Sequence, residues 1–446
     1  MLDTIEQLLG SMAGWVWGPP LLVLLFGTHL FLTVRLGFIQ RYVWRGIKLS
    51  LARDTEGAGD VSHFGALATA LAATIGTGNI VGVATALGLG GPGALLWMWL
   101  TGVFGISTKY AEALLSVKYR VTTASGAMAG GPMYVLERGM NARWLGLVFA
   151  AFTALAGFGI GNMVQANSIA DLAEQTVSLP RWMTGVGLAG LTALVVLRGI
   201  RSIARVCMIL VPFMAAAYVL GCLVLLAMHV ERIPDTLAVI VQSAFGVKAA
   251  AGGLVGVGVR EAMRYGIARG LFSNESGLGS APIVAAAAQT RDPVRQALVS
   301  ATGTFWDTVV VCALTGLVLV NSGAWTVVDS TGEPLVGAAL TRAAFADLSF
   351  VGPLILNLGL LTFVFSTILG WCYYGEKAAE YLFGPGALRP YRVLWVIAVV
   401  LGATLSLPIV WNFSDVMNGL MAVPNLISLL WLNKVLVSET KRHMTS

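Results

Sequence analysis

Eleven times along this chain an apolar run of membrane-crossing length lies between two polar breaks, near residues 15–36, 64–88, 91–116, 144–172, 182–198, 203–229, 259–288, 294–320, 351–376, 391–410 and 412–433. A helix of roughly 20 apolar residues crosses the hydrocarbon of a bilayer. Eleven such runs leave little chain for anything else. Of the 446 residues 57% are hydrophobic and 11% charged. Soluble domains carry about 25% charged residues, so soluble, disordered and collagen-like classes are excluded. The net charge of +6 does not indicate nucleic acid, because the basic residues are scattered through the loops between apolar runs. The sequence therefore predicts an all-α polytopic membrane protein.

Basic residues set the expected orientation. Twenty-one Lys and Arg follow odd-numbered spans or end the chain, among them Arg53, Lys109, Arg120, Lys377 and Lys434. Four lie on the other side: Arg181, Arg232, Lys248 and Arg342. Arg260, Arg264 and Arg269 fall within span seven and are expected to line the outer mouth, with Glu261 facing Arg264 three residues on. This bias places the N-terminus outside and the C-terminus in the cytoplasm. The first residues, MLDTIEQLLG, hold no Lys or Arg and do not resemble a cleaved signal. The stretch 230–252 is expected to hold an interfacial helix with Ile233, Leu237, Ile240 and Val241 on one side, and the loop 321–350 is polar, with Asp329, Glu333 and Asp347.

Two spans are interrupted. Span two carries Gly76, Thr77, Gly78 and Asn79 at its middle; span seven carries Gly270, then Ser273, Asn274, Glu275, Ser276, Gly277 and Gly279, with Pro282 just beyond. Glycine and asparagine are poor helix formers, and irregular backbone inside a bilayer is tolerated only when buried in protein or lining a cavity. Broken helices in corresponding, oppositely directed positions mark an inverted repeat with a midplane site. Spans two to six and seven to eleven are grouped as repeats on that basis, behind one added N-terminal span. The expected division is 1–60 for the first span and linker, 61–230 and 253–435 for the repeats, 231–252 for an outer segment and 436–446 for a tail.

The breaks suggest a ligand. A helix start after Gly78 would offer free N–H groups to a carboxylate, and carbonyls around Leu271 to Ser273 would suit an ammonium. A zwitterion satisfies both, and the bulk of Phe272 and Trp371 favours a small one. Ser366 and Thr367 of span nine, with carbonyls of Ala72 and Ile75, would supply neutral oxygens for a sodium ion. Glu275 has two readings: an acid at membrane depth is a functional candidate, and it is also suited to cap the second half of span seven. Asp307 is expected to pair with a polar neighbour. Gly157, Gly159 and Gly161 read as close-packing positions, and Gln165 as interior, either as interhelical glue or in the site. Cys207, Cys222, Cys312 and Cys372 form no CxxC pair and no disulfide framework. No catalytic cluster, pore filter or Walker sequence is present, which argues against an enzyme, a channel and an ATP-driven pump.

At these residues the chain resembles the alanine or glycine:cation symporter family, also called sodium:alanine symporters. The matching strings are ATIGTGNIVGVATAL (73–87), GGPGALLWMW (90–99), ISTKYAEALLSVKYR (106–120), GGPMYVLERGM (130–140), GLFSNESGLGSAPIVAAAA (270–288) and FSTILGWCYYGEKAAEYLFG (365–384). The resemblance implies the leucine-transporter fold and sodium-coupled import of alanine, glycine and related small amino acids through a bacterial inner membrane, with sodium as coupling ion and no organic cofactor. It implies that Thr77 and Gly78 meet the substrate carboxylate, backbone at Gly270 to Phe272 meets the ammonium, and Gln165, Phe272 and Trp371 wall the pocket. Sodium would take Ala72, Ile75, Ser366 and Thr367; a second sodium would need Thr74 and Asn79. A proton-coupled carrier of the same fold, titrating Glu275, is the rival.

Overall fold

The computed structural model describes residues 2–52, 57–124, 126–246, 258–329, 332–346, 351–405 and 407–445. Arg53, Lys248 and Asp347, which enter the reading of charges and loops above, lie outside them, as does the end of the 230–252 stretch. The chain is a helical bundle. Its first part comprises α1 (Leu2–Val16), α2 (Pro19–Arg35), α3 (Val43–Ser50), α4 (His63–Thr74), α5 (Val83–Gly90), α6 (Gly93–Lys118), α7 (Pro132–Gly139), α8 (Arg143–Ala156), α9 (Val164–Val177), α10 (Arg181–Val196), α11 (Ile200–Met228) and α12 (Ile233–Ala244). The remainder comprises α13 (Val259–Asn274), α14 (Pro282–Ala285), α15 (Pro293–Thr304), α16 (Ala313–Asn321), α17 (Gly337–Phe345), α18 (Val351–Phe383), α19 (Leu388–Thr404), α20 (Leu407–Trp431) and α21 (Asn433–Thr445). One short hairpin pairs Val121 with Ala129 and Thr122 with Met128. Among the described residues six helices are long and apolar enough to cross a membrane, and two bent pairs pass the same test taken together.

The first bent pair corrects the start of span one. The helix begins at Leu2, not near residue 15, and turns by 43° between Val16 and Pro19. Gly18 is extended and Pro19 opens α2, where proline's missing N–H costs nothing. The second bent pair is span two, whose axis turns by 53° between Thr74 and Gly78. Ile75 leaves the helix with ψ 93°, and a wide π-helical turn, Gly78–Gly82, leads into α5.

Span seven is broken more deeply than expected. Helix α13 ends at Asn274, Glu275 and Gly277 take positive φ (58° and 92°), and helix resumes only for Pro282–Ala285. The Leu271 carbonyl, expected to be free, accepts the Glu275 amide at 2.9 Å. Nor does Glu275 hold the amides that follow: its carboxylate accepts from the Ser280 hydroxyl at 2.6 Å. The amides of Gly277 and Gly279 donate instead to Glu112 Oε1 on α6, each at 3.0 Å, and Asn425 Nδ2 donates to the same oxygen at 2.6 Å. An amide buried without an acceptor would cost about 1–3 kcal/mol.

Helix α6 is the post along which span seven runs. Gly105, Lys109, Glu112 and Ser116 recur at helical spacing on one face; Gly105 lies against Ser276, and the Ser116 hydroxyl donates to the Pro282 carbonyl at 2.7 Å. Lys109, counted from sequence among the charges that follow span three, is 3% exposed within α6. Lys377 also lies inside a helix, paired with Glu380 at 2.7 Å. Helix α12 forms where expected, but Ile240, Thr236 and Ala244 are its buried positions while Leu237 and Val241 are exposed. At the polar end of the bundle Arg120 donates to the carbonyls of Ala58, Ala286, Ala288 and Thr290, at 2.6–3.0 Å. Beside it Val61 and Ala288 form a parallel bridge. The three span-four glycines are contact points: a methyl on Gly157 would meet Trp395, on Gly159 Ser414, and on Gly161 Trp371.

Two stability outcomes follow from this packing. A Cβ at Gly266 would strike the Ala94 carbonyl and Trp97, whereas one at Gly187 meets nothing within 4 Å. Gly266→Ala is expected to destabilise the purified protein by about 1–3 kcal/mol, while Gly187→Ala leaves it unchanged or raises it by up to about 1 kcal/mol; thermal unfolding in detergent checks both. Glu112→Ala strands two amides and Asn425, and is expected to cost about 3–5 kcal/mol, with Glu112→Gln losing clearly less because one acceptor oxygen remains.

Candidate functional site

The break in span two brings its carbonyls onto the hydroxyls of α18. Thr367 Oγ1 lies 3.0 Å from the Ala72 carbonyl and 3.3 Å from that of Ile75, and Ser366 Oγ lies 3.3 Å from the Ala72 carbonyl. All four residues are buried. The approach needs two glycines: a Cβ on Gly76 would sit 2.6 Å from Thr367 Oγ1, and one on Gly370 2.8 Å from the Ala73 backbone. Four neutral oxygens converge with no carboxylate among them, a donor set suited to a hard monovalent cation.

The amides freed at the same break are taken by side-chain carbonyls. Gly76 N donates to Asn79 Oδ1 at 2.8 Å, and Thr77 N reaches Gln165 Oε1 at 3.5 Å. Gln165 Nε2 donates in turn to Thr77 Oγ1 at 3.2 Å and to the Ile160 carbonyl at 2.9 Å. Of the two residues expected to meet a carboxylate, Thr77 has its N–H taken by an amide oxygen, the neutral equivalent of a carboxylate oxygen. Gln165 follows the π-helical stretch Gly157–Met163 of span four and holds the Ile160 carbonyl within it.

Of the other residues expected at the site, Gly78 faces span seven: a Cβ there would lie 3.3 Å from Ser273 Cα and 3.4 Å from the Phe272 ring. Phe272 stacks on Trp411 of α20, centroids 5.3 Å apart and 25° between planes. Gly270 packs instead against Met98 of α6. Trp371 is fully buried against Gly161 and edge-on to Tyr374 at 5.4 Å. Thr74 and Asn79 are not brought together: the Thr74 hydroxyl turns back to the Leu71 carbonyl at 3.4 Å, while Asn79 turns to Gly76 and to Asp307.

Asp307 joins the two breaks. Its carboxylate accepts from Asn79 Nδ2 at 2.7 Å, from the Ser273 hydroxyl at 2.9 Å and from the Thr308 hydroxyl at 2.7 Å. Asn274 Nδ2 donates to the Thr308 hydroxyl at 3.1 Å. One acid of span eight, itself on a π-helical stretch (Phe305–Cys312), thereby touches span two and span seven at once. Lys109 acts electrostatically on Asp307, Glu275 and Glu112, although its Nζ has no hydrogen-bond partner among the described residues. Glu112 and Lys109 carried no sequence signal beyond being charges inside an apolar run; Asp307 carried that same signal, but not its partners.

On the α5 side of the Phe272–Trp411 stack lies an ion pair. Arg269 reaches Asp415 at 3.3 Å, its guanidinium 5.5 Å from the Phe272 ring centroid and 5.4 Å from that of Trp411. Arg269 thus lies over the stack and lines one pocket together with Arg264, and Glu261 and Arg264 pair, at 3.7 Å. The four cysteines are buried and free.

Comparison with known proteins agrees with this geometry. The sodium:alanine symporter family profile matches residues 2–446. The chain is 53% identical over 442 residues to the sodium/alanine symporter AgcS of Methanococcus maripaludis, covering 98% of this chain and 96% of that one. It is 52% identical, with the same coverage, to an uncharacterised transporter of Haemophilus influenzae. In fold it is similar to MhsT, solved in complex with L-phenylalanine (TM-score 0.56, 14% identity, 86% of this chain and 98% of that chain). It is also similar to a manganese transporter of Eremococcus coleocola (TM-score 0.52, 15% identity, 87% of this chain and 90% of that chain). Both neighbours have the leucine-transporter fold. With a profile match over essentially its whole length, two broken helices and a polar core between them, the chain belongs to the sodium:alanine symporter family, whose members are membrane transporters and not enzymes.

Proposed function

We propose that this protein imports small neutral amino acids, alanine and glycine, together with sodium, by alternating access across a bacterial inner membrane. The observation that carries the reading is the Thr367 hydroxyl, held against the carbonyls of both Ala72 and Ile75 at the break of span two. Sodium taken up among Ala72, Ile75, Ser366 and Thr367 would fix the bend that presents Thr77 and Gly78. The amino acid's carboxylate would then replace Gln165 Oε1 at the Thr77 amide, its ammonium would face backbone at Gly270 to Phe272, and Phe272 and Trp371 would limit its size. Sodium and substrate share one broken helix, so each should tighten binding of the other by the same factor. The name of the Methanococcus relative supports alanine and sodium.

The architecture proposed for this work is eleven spans: one N-terminal span with its linker (1–60), then repeats 61–230 and 253–435 in opposite orientation, an outer segment 231–252 and a cytoplasmic tail 436–446. The N-terminus lies outside and the C-terminus in the cytoplasm. Rocking of one repeat against the other would expose the site to each side in turn. A second sodium at Asn79 would require that side chain to leave Asp307 or Gly76, and Thr74 to leave Leu71.

A proton-coupled carrier is the second reading, favoured by the fully buried Glu275 at the break of span seven. Two measurements separate the readings. In proteoliposomes, replacing external sodium by choline is expected to abolish alanine and glycine accumulation; equal uptake in both buffers would discard sodium coupling. Thr367→Ala, which removes one oxygen of the set, is expected to raise the sodium concentration for half-maximal uptake about tenfold or more, equivalent to about 1.4 kcal/mol. Glu275→Gln should leave sodium-driven uptake responsive to sodium, but would abolish uptake driven by a proton gradient if the second reading held.

A further inference from the structure

A chamber of about 360 Å³ lies on the α5 side of the Phe272–Trp411 stack, within the size range of small-ligand pockets. Its walls come from six segments: Val81 and Thr85 one and two turns beyond Gly78, Ser168 and Asp171 of α9, Arg342 of α17, Leu360 of α18, and Trp411 with Asp415 of α20; Arg269 of α13 completes it. Trp411 and the Arg269–Asp415 pair belong both to the chamber and to the stack that covers Gly78. A solute that reaches the span-two break from this side must pass through the chamber.

The charges in its wall are unequal in their commitments. Arg269 is bound to Asp415. Asp171 accepts from Arg181 at 2.8 Å and from Gln175 at 2.8 Å. Arg342 is half-buried and has no hydrogen bond or ion pair among the described residues. A guanidinium partly withdrawn from water with its fork unfilled is built for a carboxylate. Across the same space Asp171 and Asp415 each keep part of their side chain exposed, an environment suited to an ammonium.

We propose that this chamber is a staging site for the zwitterionic amino acid, in which Arg342 receives the carboxylate and the Asp171–Asp415 side receives the ammonium before the Phe272–Trp411 stack opens. The proposal rests on the symport reading above and assigns that function a second, weaker point of substrate recognition. Arg342 touches only the incoming solute, so its loss changes capture and leaves the transported step alone.

The test is initial-rate uptake by proteoliposomes at varied alanine concentration and saturating sodium, for the unaltered protein, Arg342→Gln and Arg342→Lys, each first shown to be folded by size-exclusion chromatography. Arg342→Gln is expected to raise KM about fivefold, the worth of one half-exposed charge contact, with kcat within about twofold. Arg342→Lys, which keeps the charge, should recover most of the loss. The proposal is overturned if Arg342→Gln leaves KM within about twofold of the unaltered protein, if it lowers kcat alone, or if Arg342→Lys recovers nothing. Absence of sodium-driven alanine uptake by the unaltered protein would instead sink the symport reading, and the staging site with it.

Discussion

Hydrocarbon offers no partner to a bare peptide group, and the two interrupted helices exist only because other parts of the chain supply one. In span two the partners are the side-chain carbonyls of Asn79 and Gln165; in span seven they are one oxygen of Glu112 and the amide of Asn274. Each break is therefore held from a different helix: span four reaches span two, and span three reaches span seven. What would otherwise be five exposed N–H dipoles, those of Gly76, Thr77, Ser276, Gly277 and Gly279, becomes a fixed polar layer across the bundle. The Thr367 hydroxyl closes it from α18, and Asp307 joins its two halves.

That layer is charged as well as polar. Glu112, Glu275 and Asp307 are three buried acids around one buried ammonium, Lys109, that touches none of them. Isolated charges are expensive in such surroundings, and each of the three acids holds hydrogen-bond donors of its own: the Gly277 amide at Glu112, the Ser280 hydroxyl at Glu275 and Asn79 at Asp307.

The two breaks and the hydroxyl pair were legible in the sequence because their composition is wrong for a continuous helix: Gly76-Thr77-Gly78-Asn79 and Ser273 to Gly279 stand out in apolar surroundings. The residues that satisfy them were not. Glu112 and Gln165 lie 165 and 88 residues from their partners, and an all-round apolar helix gives no periodicity from which to read which way a lone polar residue turns. The same lack of phase leaves α12 partly unread: of the residues grouped on one side, Ile240 is buried while Leu237 and Val241 are exposed. Lys109 was counted with the charges that follow span three because charge density marks a span's end in most membrane helices, whereas here α6 carries charges inward to meet span seven. The partner of Arg269 was not legible either: Asp415, which holds it over the aromatic stack, stands alone in the apolar run 412–433.

Arg120 has a mechanical meaning. One guanidinium grips four carbonyls drawn from the linker before span two and from the stretch that follows α14, where the Val61–Ala288 bridge adds a further tie. Hydrogen bonds of this kind tolerate only a few tenths of an ångström of stretch before they weaken, so neither strand of chain shifts alone. The beginning of one interrupted span and the end of the other are clasped like two leaves of a shutter on a single pin, and whatever parts them must release all the carbonyls together.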